Sequence, residues 1–89
     1  MKQHTKNYLE YFDLGKEDFI FCEYSYIKLG AMIRSADLHH LIYRSHGGCD
    51  TINNIIALSR DIHNKAHSEQ ISKSELEAVH LQFINENPY

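Results

Sequence analysis

The stretch that decides the fold is ADLHHLIYRSHGGCDTINNIIALSRDIHNKAH, residues 36–67, which holds five of the chain's seven histidines. Two of the five are adjacent, His39 and His40, and two lie four residues apart, His63 and His67. Histidine has an ordinary pKa of about 6.5, so it can act as a metal ligand or as a base near neutral pH. The gathering of imidazoles therefore calls for a chemical explanation.

Two strands and a helix are predicted within this stretch. SADLHHLIY (35–43) alternates in the manner of a strand, with Leu38 and Ile42 among the inward-facing candidates. SHGGCD (45–50) is typical of a turn, because a Gly-Gly pair tolerates positive φ. TINNIIAL (51–58) predicts a short strand or bend leading into a helix that carries SRDIHNKAH (59–67).

The segments before this stretch predict a helix followed by an extended piece. KNYLEYFDLG (6–15) places Tyr8, Leu9 and Phe12 at helical spacing, and Gly15 is the predicted stop. DFIFCEYSYI (18–27) is rich in aromatic residues, which suits a short extended segment. Gly30 then interrupts the pattern.

The segment after it, SKSELEAVHLQFINENP (72–88), predicts a second flanking helix. It begins with Ser72 and Glu75 in capping-box register and ends in the run from Asn85 to Pro88. The side chains predicted to form its buried stripe are Leu76, Val79, His80 and Phe83.

Length and composition are those of one small globular domain. The chain has 89 residues, of which 43% are hydrophobic and 24% charged. No apolar run approaches the ~20 residues that span a bilayer, and the polar start MKQHTKNYLE lacks a signal-peptide core. A cytoplasmic protein with no membrane partner is therefore expected, and its two cysteines, Cys22 and Cys49, are expected to be free thiols.

The net charge of −3 is unevenly distributed. Residues 28–67 are net positive, whereas both flanks are net negative. The basic side chains of this middle region are Lys28, Arg34, Arg44, Arg60 and Lys65. Such a distribution permits a phosphate ligand without requiring one, because a mixed, solvated surface would look similar.

The histidine spacing itself suggests a division of labour. His63 and His67, at i and i+4 of a predicted helix, project from one face and can share a metal ion, although a solvated helix face is the alternative. His39 and His40 are neighbours on a predicted strand, so they point to opposite faces and one can face a metal while the other does not. Metal-dependent phosphodiester cleavage needs both a cation at the phosphate and a separate base.

These residues carry a resemblance to a known family. DLHH (37–40), then Gly-Gly and Asp, then Asn54, then the two helical histidines together resemble the HNH endonucleases, in the HH–N–H–H form of small phage-type members. The spacing is distinctive, since Asn54 precedes His63 by nine residues. The resemblance implies an α+β fold: a small ββα-metal (His-Me finger) domain, core about 35–68, with an N-terminal and a C-terminal helix. Residues 1–89 are then a single HNH endonuclease domain.

The resemblance also implies a metal site and a base. It assigns His39, His63 and His67 to one divalent ion (Mg²⁺, Mn²⁺, Ni²⁺ or Zn²⁺) and leaves a position open for a phosphate oxygen or water. It assigns His40 the role of general base that deprotonates the attacking water.

Three further residues receive roles from the resemblance. Asn54 is expected to pin the loop between strand and helix through hydrogen bonds from its side chain to the backbone, and so to hold His40 in position. Asp37 is expected to orient an imidazole, and Arg44 to grip the scissile phosphate. The histidines without a family match are interpreted as surface or packing residues: His4, His46 and His80.

The sequence departs from many small phage-type relatives, which carry a structural zinc on two Cys-x-x-Cys pairs. Here Cys22 is retained, but Ser25, Ser59 and Ile62 stand at the other positions, so no structural zinc is expected. The side chains expected to fill that place by packing, helped by Ile62, are Tyr8, Phe12, Phe19, Phe21 and Tyr24.

The sequence thus predicts a metal-dependent endonuclease that nicks or cuts DNA. DNA is the predicted partner, and a homodimer or a larger complex with phage or host proteins is left open. The alternatives are a catalytically silent HNH-fold module that binds DNA, and an accessory protein that docks on a protein partner. The intact His40 speaks against a silent module.

Overall fold

The computed structural model describes the backbone of all 89 residues and every side chain except that of Arg44. The helices and strands are α1 (Gln3–Tyr11), α2 (Glu23–Leu29), β1 (Asp37–His40), β2 (Ile55–Leu58), α3 (Arg60–His67) and α4 (Lys73–Glu86). Short 3-10 turns lie at Arg44–His46 and Ile52–Asn54. The succession β1, β2, α3 confirms the predicted ββα core, and α1 and α4 confirm the predicted flanking helices.

The two strands form an antiparallel hairpin whose second strand is fully buried. His39 lies opposite Ile56, and His40 lies opposite Ile55. Side chains alternate along a strand, so Ile56 and Leu58 enter one core cluster whereas Ile55 enters a second. Burial on both faces explains why this segment is a continuous apolar run rather than an alternating one.

The two core clusters lie on either side of β2. The first is formed by Cys22, Leu41, Ile56, Leu58, Ile62, Ala66, Ile71, Leu76 and Val79. The second is formed by Tyr8, Phe12, Phe21, Ile55, Ala57 and Phe83. Because α4 contributes to both clusters, it ties the hairpin to α1 and α2.

The predicted start and buried stripe of α4 are confirmed. Ser72 is the N-cap, and its hydroxyl accepts a hydrogen bond from the Glu75 backbone N–H at 3.2 Å. The Glu75 carboxylate does not complete the capping box but accepts a hydrogen bond from the Tyr24 hydroxyl at 2.8 Å. All four side chains of the predicted stripe are buried.

Half of the segment predicted to be extended, residues 23–27 of 18–27, is helical, which corrects the sequence interpretation. Only an isolated bridge between Phe21 and Arg34 is extended, and α2 begins directly after Cys22. Packing against α4 overrides the weak helix preference of the aromatic residues. Gly30 ends the helix with a left-handed φ of 63°.

Two finer predictions are also wrong. Helix α1 ends at Tyr11, before Gly15, and the left-handed residue after it is Asp13, with φ 56°. Ile42 is 43% exposed, and Leu41 is buried instead, because β1 ends at His40 and the chain turns there.

The glycine pair is a turn, as predicted, but each glycine is needed for a different reason. Gly47 has a φ of 87°, in the left-handed region. Gly48 has no such φ, yet a Cβ there would lie 1.8 Å from the Ile42 carbonyl oxygen. The loop therefore closes tightly onto the end of β1.

The four positions where the resemblance would place zinc cysteines, Cys22, Ser25, Ser59 and Ile62, take part in packing and helix capping in this chain. Cys22 and Ile62 belong to the same core cluster, and the Ser25 hydroxyl lies 3.2 Å from the Cys22 Sγ. Ser59 caps α3 by accepting from the Ile62 N–H at 3.4 Å. Of the aromatic residues expected there, Phe19 is 39% exposed and lies outside the core.

A buried polar network joins α2, α4 and the turn before β2. The Glu23 carboxylate, fully buried, accepts from the Tyr8 hydroxyl at 2.5 Å and the Ala57 N–H at 3.1 Å. It also pairs with His80 Nδ1 at 2.7 Å, while His80 Nε2 lies 2.5 Å from the Ile52 carbonyl oxygen. Burial alone would lower the pKa of His80, but the hydrogen bond and charge of Glu23 raise it above its ordinary value. His80 is thus a packing residue, as predicted, and holds a polar network.

Candidate metal centre

Three imidazoles from two elements meet beside the hairpin. His39 comes from β1, whereas His63 and His67 come from successive turns of α3. One nitrogen of each ring lies within 4.8 Å of the other two. Bonds of about 2.0–2.1 Å at tetrahedral angles put ligand nitrogens about 3.4 Å apart, so small side-chain adjustments suffice to surround one ion. Imidazole nitrogen is a donor that Zn²⁺, Ni²⁺ and related ions favour, and the residues fit a divalent metal.

His39 is the buried member of this trio. It is 6% exposed, and its ring centroid lies 5.0 Å from that of His63 and 5.3 Å from that of His67. Burial, followed by the nearby imidazoles, lowers the pKa of His39 to about 4. His39 is therefore neutral at physiological pH and keeps a lone pair for a cation.

Asp37 holds the second imidazole from behind. Its carboxylate accepts a hydrogen bond from His63 Nδ1 at 2.9 Å and binds the Arg60 guanidinium at 2.9 and 3.1 Å. Burial opposes ionisation, but the His63 hydrogen bond and the Arg60 charge hold the pKa of Asp37 below its usual value. A carboxylate on Nδ1 fixes the tautomer and leaves Nε2 of His63 available to a metal.

Tyr43 contacts the third imidazole, that of His67. Tyr43 was not among the site residues predicted from the sequence. Its hydroxyl lies 3.3 Å from His67 Nδ1, and the two rings are nearly parallel at 17°. With both Nδ1 atoms engaged, the Nε2 atoms of His63 and His67 face each other at 3.0 Å. No spacing rule singles out Tyr43, because it lies in the irregular loop after β1.

His40 lies in a different environment from His39. Its Nε2 is 2.9 Å from Asp50 Oδ1, and the His4 ring from α1 meets it edge-on with centroids 4.8 Å apart. A carboxylate can only accept, so Nε2 of His40 carries the proton and Nδ1 is left as the acceptor. The sequence interpretation gave Asp50 no role and placed His4 among the surface or packing residues.

Asn54 is buried and ties down the loop that carries Asp50. Its Oδ1 accepts from the Ile42 N–H at 2.7 Å, and its amide nitrogen donates to the carbonyls of Ile42 and Cys49 at 3.0 and 2.8 Å. The predicted type of hydrogen bond is present, but the loop joins β1 to β2 rather than strand to helix. This corrects the expectation, since the hairpin closes before α3 begins.

Arg44 opens the 3-10 turn after β1, and its side chain lies outside the described residues. Its predicted contact with the scissile phosphate stays a prediction. Among the other basic residues of the middle region, Arg34 stacks over the Phe19 ring at 4.8 Å, and Lys65 pairs with Asp61 at 3.6 Å.

Comparison with known proteins identifies the family. Searches of curated proteins and of solved structures gave no match. The family model described as HNH endonuclease matches residues 22–69, more than half of the 89-residue chain. The matched segment contains the hairpin, α3, the trio of imidazoles and His40. It indicates a nuclease-type function related to DNA. The chain belongs to the HNH endonuclease family.

Proposed function

We propose that the protein is a metal-dependent endonuclease that hydrolyses DNA phosphodiester bonds, with residues 1–89 acting as a single domain. The observation that carries the proposal is the division of labour at β1. His39 lies with two other imidazoles, and the three together suit a cation. Its neighbour His40 pairs with the Asp50 carboxylate, an arrangement that suits a general base. No helix in the described part of the chain is long and apolar enough to cross a bilayer.

His39, His63 and His67 are the proposed metal ligands. A divalent ion held there supplies positive charge that stabilises the phosphate and the leaving oxygen. Two features of the chain preorganise these ligands for metal binding. Burial keeps His39 neutral, and Asp37 fixes the tautomer of His63. His39 and His63 therefore present lone pairs rather than N–H groups to a cation.

His40 is the proposed general base. Asp50 accepts a hydrogen bond from the Nε2–H of His40, so Nδ1 is the nitrogen that accepts a proton from the attacking water. The imidazolium formed in that step is stabilised by the Asp50 carboxylate, as in other carboxylate–histidine pairs. Asn54 supports the pair by fixing the loop next to Asp50, and Arg44 is the proposed phosphate contact.

The alternative is a silent module, because the family includes members without catalytic activity. The hydrogen bond between His40 and Asp50 favours the enzyme, since metal binding by the trio does not need it. Association with a second copy or with a phage or host protein is compatible with either function.

The test is conversion of supercoiled plasmid to nicked or linear DNA. We expect cleavage with at least one of Mg²⁺, Mn²⁺, Ni²⁺ and Zn²⁺ and none in EDTA, because charge stabilisation at the phosphate is lost without a cation. His46→Ala, which changes an exposed histidine that belongs neither to the trio of imidazoles nor to the pair of His40 and Asp50, serves as a control and should retain activity. DNA binding without cleavage in all four ions would support the silent module, and cleavage in EDTA would exclude metal dependence.

A further inference from the structure

We propose that His4, His40 and Asp50 form a second metal site, specific for ions such as Zn²⁺ that favour nitrogen ligands, and that an ion bound there switches off the base. The metal site stands independently, whereas the switching effect rests on the proposed role of His40. We call these three residues the outer cluster.

Three separate elements bring the outer cluster together. His4 lies in the first turn of α1, His40 ends β1, and Asp50 lies in the loop before β2. One nitrogen or oxygen atom of each residue lies within 4.8 Å of the other two, and all three residues are half-buried. Partial burial shields the donors from bulk water and still leaves part of each residue exposed to solvent.

The elements that carry these side chains are fixed to one another. The Asn7 amide on α1 donates to the Asp50 backbone carbonyl at 2.9 Å. Asn54 donates to the carbonyl of Cys49, the residue before Asp50, at 2.8 Å. Hydrogen bonds to the backbone therefore fix the positions from which these side chains approach one another.

The donor set selects the kind of ion. Two imidazoles and one carboxylate suit Zn²⁺, Ni²⁺, Cu²⁺ or Fe²⁺, whereas Mg²⁺ prefers oxygen ligands and retains its waters. Three protein ligands leave space for water in a four-coordinate ion. We therefore expect Zn²⁺ to occupy the outer cluster and Mg²⁺ to leave it unoccupied.

An ion in the outer cluster changes the tautomer of His40. Coordination through Nε2, the nitrogen that faces Asp50, uses the lone pair there and releases the Nε2 proton to solvent. Neutral imidazole keeps one N–H, so a proton from solvent binds Nδ1 and the net charge of the ring is unchanged. Neither nitrogen can then accept a proton from water. Zn²⁺ is thus expected to inhibit cleavage at concentrations that fill the outer cluster.

His4 lies in α1, outside the segment 22–69 that the family model matches. The trio of imidazoles does not include it, so the two sites can be removed separately. His4→Ala and the more conservative His4→Gln delete one ligand of the outer cluster while leaving the pair of His40 and Asp50.

Equilibrium titration with Zn²⁺, read as ions bound per chain, tests the site without reference to activity. We expect two ions for the unmodified protein and for the control His46→Ala. Each His4 variant should bind one ion, and so should His63→Ala, which removes a ligand of the other site. One ion in the unmodified protein, or two in both His4 variants, would overturn the second site.

Cleavage tests the switching effect and separates it from the proposed function. Activity of the unmodified protein should fall at least tenfold at high Zn²⁺ but not at high Mg²⁺, and both His4 variants should resist the fall. Equal inhibition of the His4 variants would overturn the switch. If two ions bind but no ion supports cleavage in any variant, the second site stands, while the proposed function and the switch fail together.

Discussion

His40→Ala is expected to slow single-turnover DNA cleavage by about 10²–10⁴-fold, the contribution typical of a general base. The loss arises because water must then be deprotonated by solvent, while the trio of imidazoles is untouched. The ion concentration that half-saturates the residual cleavage should therefore remain unchanged. Single-turnover rates at saturating protein, measured across a series of metal concentrations, give both quantities.

Two variants make this result specific. Asp50→Asn keeps the size of the side chain but removes the negative charge beside His40, so it should slow cleavage less than loss of the base itself. His46→Ala deletes an imidazole that belongs neither to the trio of imidazoles nor to the outer cluster, and this variant should cleave at the rate of the unmodified protein. A His40→Ala protein that cleaves at the unmodified rate would remove His40 from the mechanism.

Glu23→Ala is expected to destabilise the fold by about 3–5 kcal/mol, because it leaves His80 buried without its counter-charge. It also removes the acceptor of the Tyr8 hydroxyl and the Ala57 N–H. The free energy of unfolding from urea titration gives the effect. Glu77→Ala on α4 breaks an exposed pair with Lys73 and should cost less than about 1 kcal/mol. Equal losses in the free energy of unfolding for the two variants would show that the buried network stabilises the fold no more than an exposed ion pair does.

The same network gives stability a defined pH dependence. The pKa of His80 is raised in the folded state, so its stabilising contribution is complete below the ordinary value of about 6.5. That contribution is lost as the pH rises through the raised pKa, because the folded state then loses a proton that it held more tightly than the unfolded chain. Urea midpoints measured from slightly acidic to alkaline pH should fall in the unmodified protein and fall less in Glu23→Gln. Parallel curves would contradict this assignment.

Much of the core could be predicted because it follows from local patterns. The run TINNIIAL and the i, i+4 pair of His63 and His67 define β2 and α3, and Ser72 marks the start of α4. Hydrophobic periodicity and capping involve residues that are close together in the chain, so a single sequence is sufficient to predict these elements. In contrast, α2 is helical because it packs against α4, and its own aromatic residues do not indicate a helix.

The outer parts of the site depend on contacts that local patterns do not encode. Asp50 meets His40 because the hairpin loop folds back, with Gly48 lying against the Ile42 carbonyl. His4 reaches His40 only because α1 docks on that loop. A short polar residue beside Gly-Gly and a histidine near the start of the chain are too common to be assigned roles without the fold.

The central claim is that one divalent ion, held by His39, His63 and His67, is required for DNA cleavage. The most direct measurement is the metal concentration that half-saturates single-turnover plasmid cleavage, using the ion that cleaves fastest. Loss of partners that merely orient ligands costs about 10–100-fold in metal affinity, so loss of a ligand should cost at least that much. We predict that His63→Ala raises the half-saturating concentration at least tenfold while His46→Ala leaves it unchanged. An unchanged value in His63→Ala would contradict the claim.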